Sequence, residues 1–533
     1  MSVPRPERPR PTTPETAVFV SGVTSMGLEI LAGRMIAPEF GSTIYTWGSI
    51  IGVFLAALGY GYHRGGRQAA ARATNRRMAR VFLFTAAYVA GLILVGDVLL
   101  RSTAGLPLPS RFASLPAVVL LFGPPTYLLG YVSPYAAELS TKEGLGAASG
   151  HVYMLGTVGS IVGAFATTYL LIPSLGVDAI ALAFGLLSVV TALVVGRPVD
   201  RRGATAAGAA ALLLVAAVAT GAAGYTVEGE VVYETQTPYQ ELRVVDRGDV
   251  RTLYLGGQRH SAMDLDDPNR HVFTYTRYFH LPMLFAEDPD EIDRVLFVGG
   301  GGFTGPKRFV TDYDVTVDVA EIDPEVIAAA EEYFRVAESD RLRIYNQGGR
   351  QFLQETDRTY DLIVLDAYQK DTVPFELTTV EFMRLAKSRL DEDGMLFTNV
   401  ISAPRGPGSA FYRSEYRTTA RVFPQVYGFP TVGGGAVQNI EMVATRDGTR
   451  LTEADLLARN ERRDVGIDLR TEIRHYAPPP STDDVPVLRD DRAPVDSLLD
   501  PMVGQRYVIQ ESNASATTTP TARPAVRAPA AAT

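Results

Sequence analysis

The pattern of apolar positions changes once along the chain, near residue 224. Before that point apolar residues run in long blocks; after it they alternate with polar ones or form short runs between turns. About seven of the early blocks reach the roughly 20 residues that a helix needs to cross a bilayer. They cover 16–37, 44–62, 81–100, 115–137, 151–172, 177–195 and 204–224. Small residues recur within them, as at Gly156, Gly159, Ser160 and Gly163, a spacing that lets helix backbones come close. The blocks therefore predict a transmembrane helical bundle. The first is read as a span and not as a cleavable signal, because equally apolar blocks follow it and no cleavage site ends it.

Beyond 224 the period shortens to that of strands. Runs at 231–235, 240–246 and 251–255, joined by polar turns such as Arg247-Gly248-Asp249, predict a small antiparallel unit. Strands then alternate with helices: strands at 295–298, 315–320, 342–345, 362–365 and 394–400, and the clearest helices at 325–334 and 378–390. That order predicts a mostly parallel, twisted, Rossmann-like α/β sheet with ligands at the C-terminal strand ends. Two later runs, 422–427 and 440–445, fit an antiparallel edge, and the Ala/Thr/Pro-rich residues from about 511 predict a disordered tail. The chain is expected to divide into an N-terminal tail (1–15), a transmembrane helical domain (16–224), a small antiparallel β unit (225–285), a Rossmann-like domain (286–510) and a C-terminal tail (511–533).

Charge follows the same division. Residues 1–224 hold 16 Lys+Arg against 9 Asp+Glu and the remainder 34 against 50, so a slightly basic apolar part precedes an acidic one. Arginines crowd three segments between blocks: Arg5, Arg8 and Arg10, then Arg64 to Arg80, then Arg197, Arg201 and Arg202. The positive-inside rule puts these ends in the cytoplasm. An odd number of spans then places the α/β domain on the other face, away from the usual supply of adenosyl compounds, unless one block is re-entrant. The block at 115–137, with Pro124, Pro125 and Pro134, is the first candidate for that. Glu29 and Arg34 lie inside the first block, either as an internal charge pair or as part of a path for ions or polyamines. With no cysteine and six scattered histidines, no disulfide or metal site is expected. No basic patch interleaves with aromatics, so nucleic acid is not an expected partner. The bilayer and a small molecule are, and homo-oligomerisation is left open. The expected location is the cell membrane, as a multi-pass protein.

The chemistry concentrates at 295–325, VLFVGGGGFTGPKRFVTDYDVTVDVAEIDPE. Gly300, Gly302 and Gly305 stand at G-x-G-x-x-G spacing directly after an apolar strand, and Pro306 suits the first turn of a helix. Glu321 ends the next strand about twenty residues on, where an acid can take two ribose hydroxyls. The pattern describes a nucleoside-type cofactor site. A dinucleotide would place its pyrophosphate at the helix start, whereas an S-adenosyl compound would rely on the acid and on adenine contacts, and both remain open at this point. Asp366 ends a later strand on the same rim, in YDLIVLDAYQKDTVPFELTTVEF. A carboxylate there can take a proton from an amine or pair with a cationic one, and Asp371 and Glu376 add negative charge on the following loop.

At these residues the chain resembles the polyamine aminopropyltransferases (spermidine synthases), and more closely their membrane-fused relatives. In the first half the likeness rests on LEILAGRMIAPEFG at 28–41, the 45–66 run ending in Gly65-Gly66, LLGYVSP at 128–134 and the 150–176 segment. In the second it rests on YETQTPYQELRV at 233–244, the Gly-rich turn, AEIDPEVI at 320–327, YDLIVLDAY at 360–368 and RDDRAPVDSLL at 489–499. The resemblance implies a class I S-adenosylmethionine-dependent methyltransferase-like fold. It also implies transfer of an aminopropyl group from decarboxylated S-adenosylmethionine to a polyamine such as putrescine, without a metal. Glu321 would bind the donor's ribose, with Gly300, Gly302 and Gly305 as its turn, and Gln240 would touch its aliphatic part. Asp366 would accept the proton, Asp371 would help to hold the cation, and Tyr239 and Tyr275 would line the amine channel.

The departures from the family pattern are specific. Gly302 replaces an acid of the turn, Gly348 replaces the acid of a later G-D-G, and His260 replaces a glutamine on the substrate side. Arg277 takes the acid's place in a Tyr-His-Glu, and the Asp-Ser-Ser-Asp loop reads Asp366-Ala367-Tyr368-Gln369, which puts Tyr368 beside the substrate. Fewer acids and an added arginine imply a weaker hold on a dication. Loss of the turn acid also fits another transferase, such as a methyltransferase using S-adenosylmethionine. The large bundle with Glu29 and Arg34 fits a transport or sensor protein whose synthase domain is degenerate.

Overall fold

The computed structural model describes residues 12–40, 44–104, 106, 108, 110–140, 144–221, 225–226, 229–370, 373–502 and 505–512. Residues 513–533 of the expected tail at 511–533, most of the first tail and Asp371 lie outside the described residues; the tail's first two residues are instead held, Glu511 bridging Phe273 and the Ser512 N–H donating to the carbonyl of Val272 at 2.9 Å. The apolar blocks fold as α1 (Thr13–Phe40), α2 (Ile44–Arg72), α3 (Asn75–Ala104), α4 (Ser110–Ala113), α5 (Leu115–Gly130), α6 (Val132–Glu138), α7 (Leu145–Ala166), α8 (Val177–Val195) and α9 (Arg201–Gly221). Seven helices among the described residues are long and apolar enough to cross a membrane. The Pro-rich segment is one of them, because α4, α5 and α6 join into a single rod, Arg111–Glu138, of 28 residues. Its break at Tyr131 is slight, since the Tyr131 N–H still reaches the carbonyl of Leu128 at 3.0 Å.

Small residues explain the tightest packing in the bundle. A Cβ on Gly159 would lie 2.2 Å from the carbonyl oxygen of Phe19, and one on Gly163 2.4 Å from that of Val23. The α1 and α7 backbones therefore touch, and no larger residue fits between them. Outward-facing side chains are apolar: Leu55, Phe84 and Leu212 are 66%, 63% and 71% exposed. The ends of α1, α3 and α7 and the starts of α2 and α8 line one cavity at one end of the bundle. A 29-residue helix such as α2 spans about 43 Å. The arginine-bearing segments after α2 and α8 therefore fall at the opposite end.

After α9 the chain forms β1 (Tyr225–Thr226), β2 (Gly229–Gln236), β3 (Glu241–Arg247), β4 (Val250–Leu255) and β5 (Gln258–Asp264), an antiparallel meander in sequence order. The fifth strand was not expected, because QRHSAMD shows no clean alternation. Its inner half, from Ser261 to Asp264, is buried against the larger domain, and that packing makes it a strand.

The larger sheet contains β6 (Arg294–Val298), β7 (Thr316–Glu321), β8 (Leu342–Asn346), β9 (Tyr360–Leu365), β10 (Leu390–Ser402), β11 (Gln425–Pro430) and β12 (Gln438–Thr445). Its order is β11-β12-β10-β9-β6-β7-β8, parallel from β10 to β8, with β12 antiparallel to both β10 and β11. This is a Rossmann-like sheet of the methyltransferase type. Its helices are α10 (Pro282–Phe285), α11 (Thr304–Asp312), α12 (Pro324–Tyr333), α13 (Gly349–Glu355), α14 (Val380–Ser388) and α15 (Ala410–Thr419). One apolar core, with Phe297, Phe397 and Phe309, joins the sheet to the meander. A second, with Leu296, Ile363 and Phe382, fills the other face. Covering both faces is why the central strands read as unbroken apolar runs.

The α1–α7 contact makes a stability prediction. Gly163→Val drives a side chain into the α1 backbone and should cost about 1–3 kcal/mol, seen as a lower thermal midpoint in detergent. Gly150→Val, on the same helix with open space around it, should leave the midpoint within error. Equal midpoints for the two variants would contradict the close approach.

Candidate active site

The central groups of the site, Gly299, Glu321, Asp366 and Asn399, are placed by the C-terminal ends of β6, β7, β9 and β10. The chain leaves β6 at Gly299 with φ +95°, where a Cβ would lie 2.4 Å from the carbonyl oxygen of Asp366. Only glycine can pass there. The Asp366 N–H in turn donates to the carbonyl of Val298 at 2.9 Å, so the ends of β6 and β9 are tied side by side. Glu321, at the end of β7, accepts from the N–H of Gly300 at 2.8 Å and of Asp323 at 2.9 Å. Burial pushes its carboxyl upward, and those two N–H bonds pull it back. Its remaining acceptor capacity is open to the cavity that it lines.

The glycines of the turn divide in a way that spacing alone did not show. Gly299 and Gly301 line the cavity, and Gly300, Gly302 and Gly305 do not. Gly302 donates its N–H to Ser261 Oγ at 2.9 Å, and a Cβ there would sit 2.8 Å from Ser261 Cβ. Gly305 is wedged between Phe297 and Phe279. Gly300 lies under the Phe303 ring. These three let the turn dock on β5 and the helix dock on the sheet. Gly348, which the sequence pointed to, does line the cavity.

Asp366 lies at the cavity floor. Its Oδ1 accepts from Asn399 Nδ2 at 2.7 Å, Asn399 Oδ1 from Asn439 Nδ2 at 2.8 Å, and Asn439 Oδ1 from the Tyr507 hydroxyl at 2.7 Å. Burial pushes Asp366 up to about 7, with the Asn399 bond opposing it. Glu441 is fully buried opposite Asn399, with both oxygens unpartnered. Burial, and then the charge of Asp366, raise it well above the usual carboxylate range. Two such groups cannot both ionise cheaply, so Glu441 keeps its proton while Asp366 titrates.

The remaining expected residues fall around the same space. Gln240, Tyr239, His260, Tyr275 and Tyr368 all line it. Gln240 Oε1 accepts from Gln369 at 2.7 Å, and Tyr239 is 51% exposed. Tyr275 donates to the carbonyl of His260 at 2.9 Å, and burial lowers the His260 imidazole to about 4, so it is neutral. Tyr368 is turned to its own support, its hydroxyl lying within hydrogen-bond reach of Leu377 O at 3.0 Å and of Glu415 Oε1 at 2.9 Å. Arg277 does not enter the site, since it bonds Glu472 at 2.5 Å and the carbonyl of Asp468 at 2.7 Å. The weaker hold on cations expected from that arginine therefore does not follow. Asn399, Asn439, Tyr507, Ser261 and Glu441 were not anticipated, and nothing in their local sequence marks them.

The cavity has a volume of about 1810 Å³ and lies between the α/β rim, the meander and the end of the bundle. Nine carboxylates and four guanidiniums line it among the described residues. Bundle acids contribute, and Asp178 lies near enough to Asp97 and Glu234 to feel their charge. The excess of carboxylates suits a polycation. A separate acidic group, Asp249, Asp264 and Asp266, lies off the cavity, with Asp264 already held by Arg270 at 2.7 Å.

Comparison with known proteins identifies the class. A family profile described as "Spermine/spermidine synthase domain" matches residues 273–416. A polyamine aminopropyltransferase of Vibrio vulnificus (strain CMCP6) is 30% identical over 211 residues, covering 38% of this chain and 68% of its own. One from Chromobacterium violaceum is 30% identical over 222 residues, covering 41% of this chain and 80% of its own. Polyamine aminopropyltransferase 2 of Aquifex aeolicus is 21% identical over 426 residues, covering 76% of this chain and 80% of its own. That last match is longer than 225–533 and so runs into the helical half. The chain belongs to the polyamine aminopropyltransferase family.

The packing of Gly302 predicts that the missing turn acid cannot simply be restored. Gly302→Asp should lower the thermal midpoint and bring no tighter ligand binding, because its Cβ meets β5. Adding Ser261→Gly should recover part of the midpoint. A stable Gly302→Asp single variant would show that the turn has room.

Proposed function

We propose that this chain is a membrane-bound transferase that moves the aminopropyl group of decarboxylated S-adenosylmethionine to a polyamine such as putrescine. The observation that carries this reading is the position of Asp366, a carboxylate pushed up to about 7 that lines the same acid-rich cavity as Glu321 and stands beside the Gly-rich turn. In this reading Glu321, Gly299, Gly301 and Gly348 take the adenosyl part, and Gln240 takes the aliphatic part. Tyr239, His260 and Tyr275 border the amine, and Asp371 helps to hold it. Asp366 removes a proton from the acceptor ammonium. The freed nitrogen attacks the aminopropyl carbon beside the sulfonium, the carbon–sulfur bond breaks, and methylthioadenosine leaves with the electron pair. The sulfonium is already a good leaving group, so alignment and deprotonation are the work left for the protein. The acid-rich wall suits a cationic acceptor, and the relatives' names, polyamine aminopropyltransferase, favour aminopropyl transfer to it over methyl transfer.

The division into a transmembrane part (16–224), a β unit (225–285) and a transferase domain (286–510) belongs to the same proposal. Its support is seven long apolar helices with apolar outer faces. The arginine-bearing ends lie opposite the cavity, so the positive-inside rule puts the transferase domain on the non-cytoplasmic face. The donor would then have to be supplied across the bilayer.

Two measurements follow. Asp366→Asn keeps the shape but cannot take a proton, and should lower turnover about 100-fold or more with donor affinity nearly unchanged. The wild-type kcat/KM should rise with pH through about 7 as Asp366 loses its proton. Asn399→Leu removes the bond that favours the carboxylate and should move that limb upward. An Asn variant as fast as wild type would make Asp366 structural. For orientation, the chain has no cysteine, so single cysteines can be placed at exposed Asp200 and exposed Ala454. An impermeant maleimide on intact cells should label the second and not the first; the reverse pattern would place the domain in the cytoplasm.

A further inference from the structure

Arg34 lies near the end of α1, at the end of the bundle that walls the cavity. It does not pair with Glu29. Its Nη2 donates to the carbonyl oxygen of Thr237 at 2.6 Å, 203 positions further along the chain. Trp47 is pressed against Gly33 beside it, where a Cβ would come within 2.6 Å of the indole. That contact leaves the local backbone of α1 little freedom. A guanidinium taken partly out of water needs acceptors, and this one is aimed at a single backbone carbonyl.

That carbonyl belongs to the hub of a tight turn. Thr237 is fully buried, and its N–H donates to the carbonyl of Gln240 at 2.9 Å. Its Oγ1 accepts from the N–H groups of Tyr239 at 3.1 Å and Gln240 at 3.0 Å. The turn thus delivers two cavity-lining side chains, and Gln240 continues through Gln369 to the loop after Asp366. Asp323, beside Glu321 and lining the same cavity, lies near enough for Arg34 to feel its charge. One bundle residue therefore meets the donor side and the acceptor side of the cavity at once.

We propose that Arg34 is a positioning residue of the transferase site: by holding the Thr237 carbonyl it fixes the 237–240 turn that carries Tyr239 and Gln240. The helical bundle then completes the binding cavity and does more than anchor the domain. The ligands named in the test rest on the proposed function, while the joint itself rests only on the geometry.

The test uses the full chain in lipid nanodiscs, with titration of decarboxylated S-adenosylmethionine and methylthioadenosine and steady-state transfer to putrescine. A charge-assisted hydrogen bond is worth roughly ten- to a hundredfold in binding. Arg34→Ala should weaken donor binding and raise KM by about that factor, with kcat changed only a few-fold. Arg34→Lys should recover part of the loss. Thr237→Val loosens the same turn from within and should act in the same direction. The double variant should be no worse than the worse single, because both act through one turn. A folded Arg34→Ala protein with wild-type affinity and KM overturns the proposal, and so do two effects that simply multiply. If Arg34→Ala does not fold, the Arg34→Lys and Thr237→Val pair carries the same comparison. A wild type that binds donor but never transfers removes the proposed function and leaves the affinities to decide on Arg34. A wild type that binds neither probe removes both.

Discussion

Two backbones meet at the head of the sheet, and the site exists only because they can. Gly299 passes so close to the carbonyl of Asp366 that a Cβ would overlap it, in a conformation that side chains rarely adopt. The contact does more than turn the chain. It extends the β6–β9 pairing by one residue, so the first residue after each strand is fixed relative to the other. The turn's N–H groups then point where the end of β7 can supply an acceptor, and Glu321 takes Gly300. A side chain at Gly299 would displace Asp366 and Glu321 together, because both positions derive from that one approach.

Around this point the molecule buries carboxyl groups, and it treats each differently. Glu321 receives backbone N–H groups, which favour its charged form. Asp366 receives one amide from Asn399, enough to hold its shape but not to cancel the cost of burial. Glu441 receives nothing and sits beside Asp366. The result is a graded set, in which Glu321 is the best supported, Asp366 is pushed up to about 7 and Glu441 is raised furthest. A base that releases its proton near the working pH is the most useful kind. Its position in the series follows from counting hydrogen bonds, without reference to any homologue.

Much of this was legible in the sequence, and the failures have physical causes. The strand–turn–helix order around Gly300, the acid at 321 and the acid at 366 could be read because each is set by its own few neighbours. The roles of single glycines could not. Gly302 and Gly305 match a ligand-binding spacing yet serve contacts with Ser261 and Phe279, which lie far off in sequence. Arg277 looked like a misplaced charge in the site until Glu472 arrived, 195 positions later, to hold it outside. Tyr507, Asn439 and β5 were invisible for the same reason, being brought in by tertiary packing. Local pattern reports what a segment can do, whereas the line between lining and packing is drawn by what lands on it.

The loss of acids at Gly302 and Gly348 is the clearest case. Counted within the family's motifs, the chain looks poor in the negative charge that a polyamine needs. Counted over the cavity, carboxylates outnumber guanidiniums nine to four, because the wall includes Glu39, Asp97 and Asp178 from the bundle and Glu234 and Glu241 from the meander. The negative charge of this cavity lies on its surrounding walls and not on the turn. Such a placement is open only to a chain whose cavity has further walls, and the bundle supplies one here. The close fit of Gly302 against Ser261 and the acidic end of the bundle can then be understood together: the turn has no room for a side chain against β5, and elements beyond the sheet supply the negative field of the cavity.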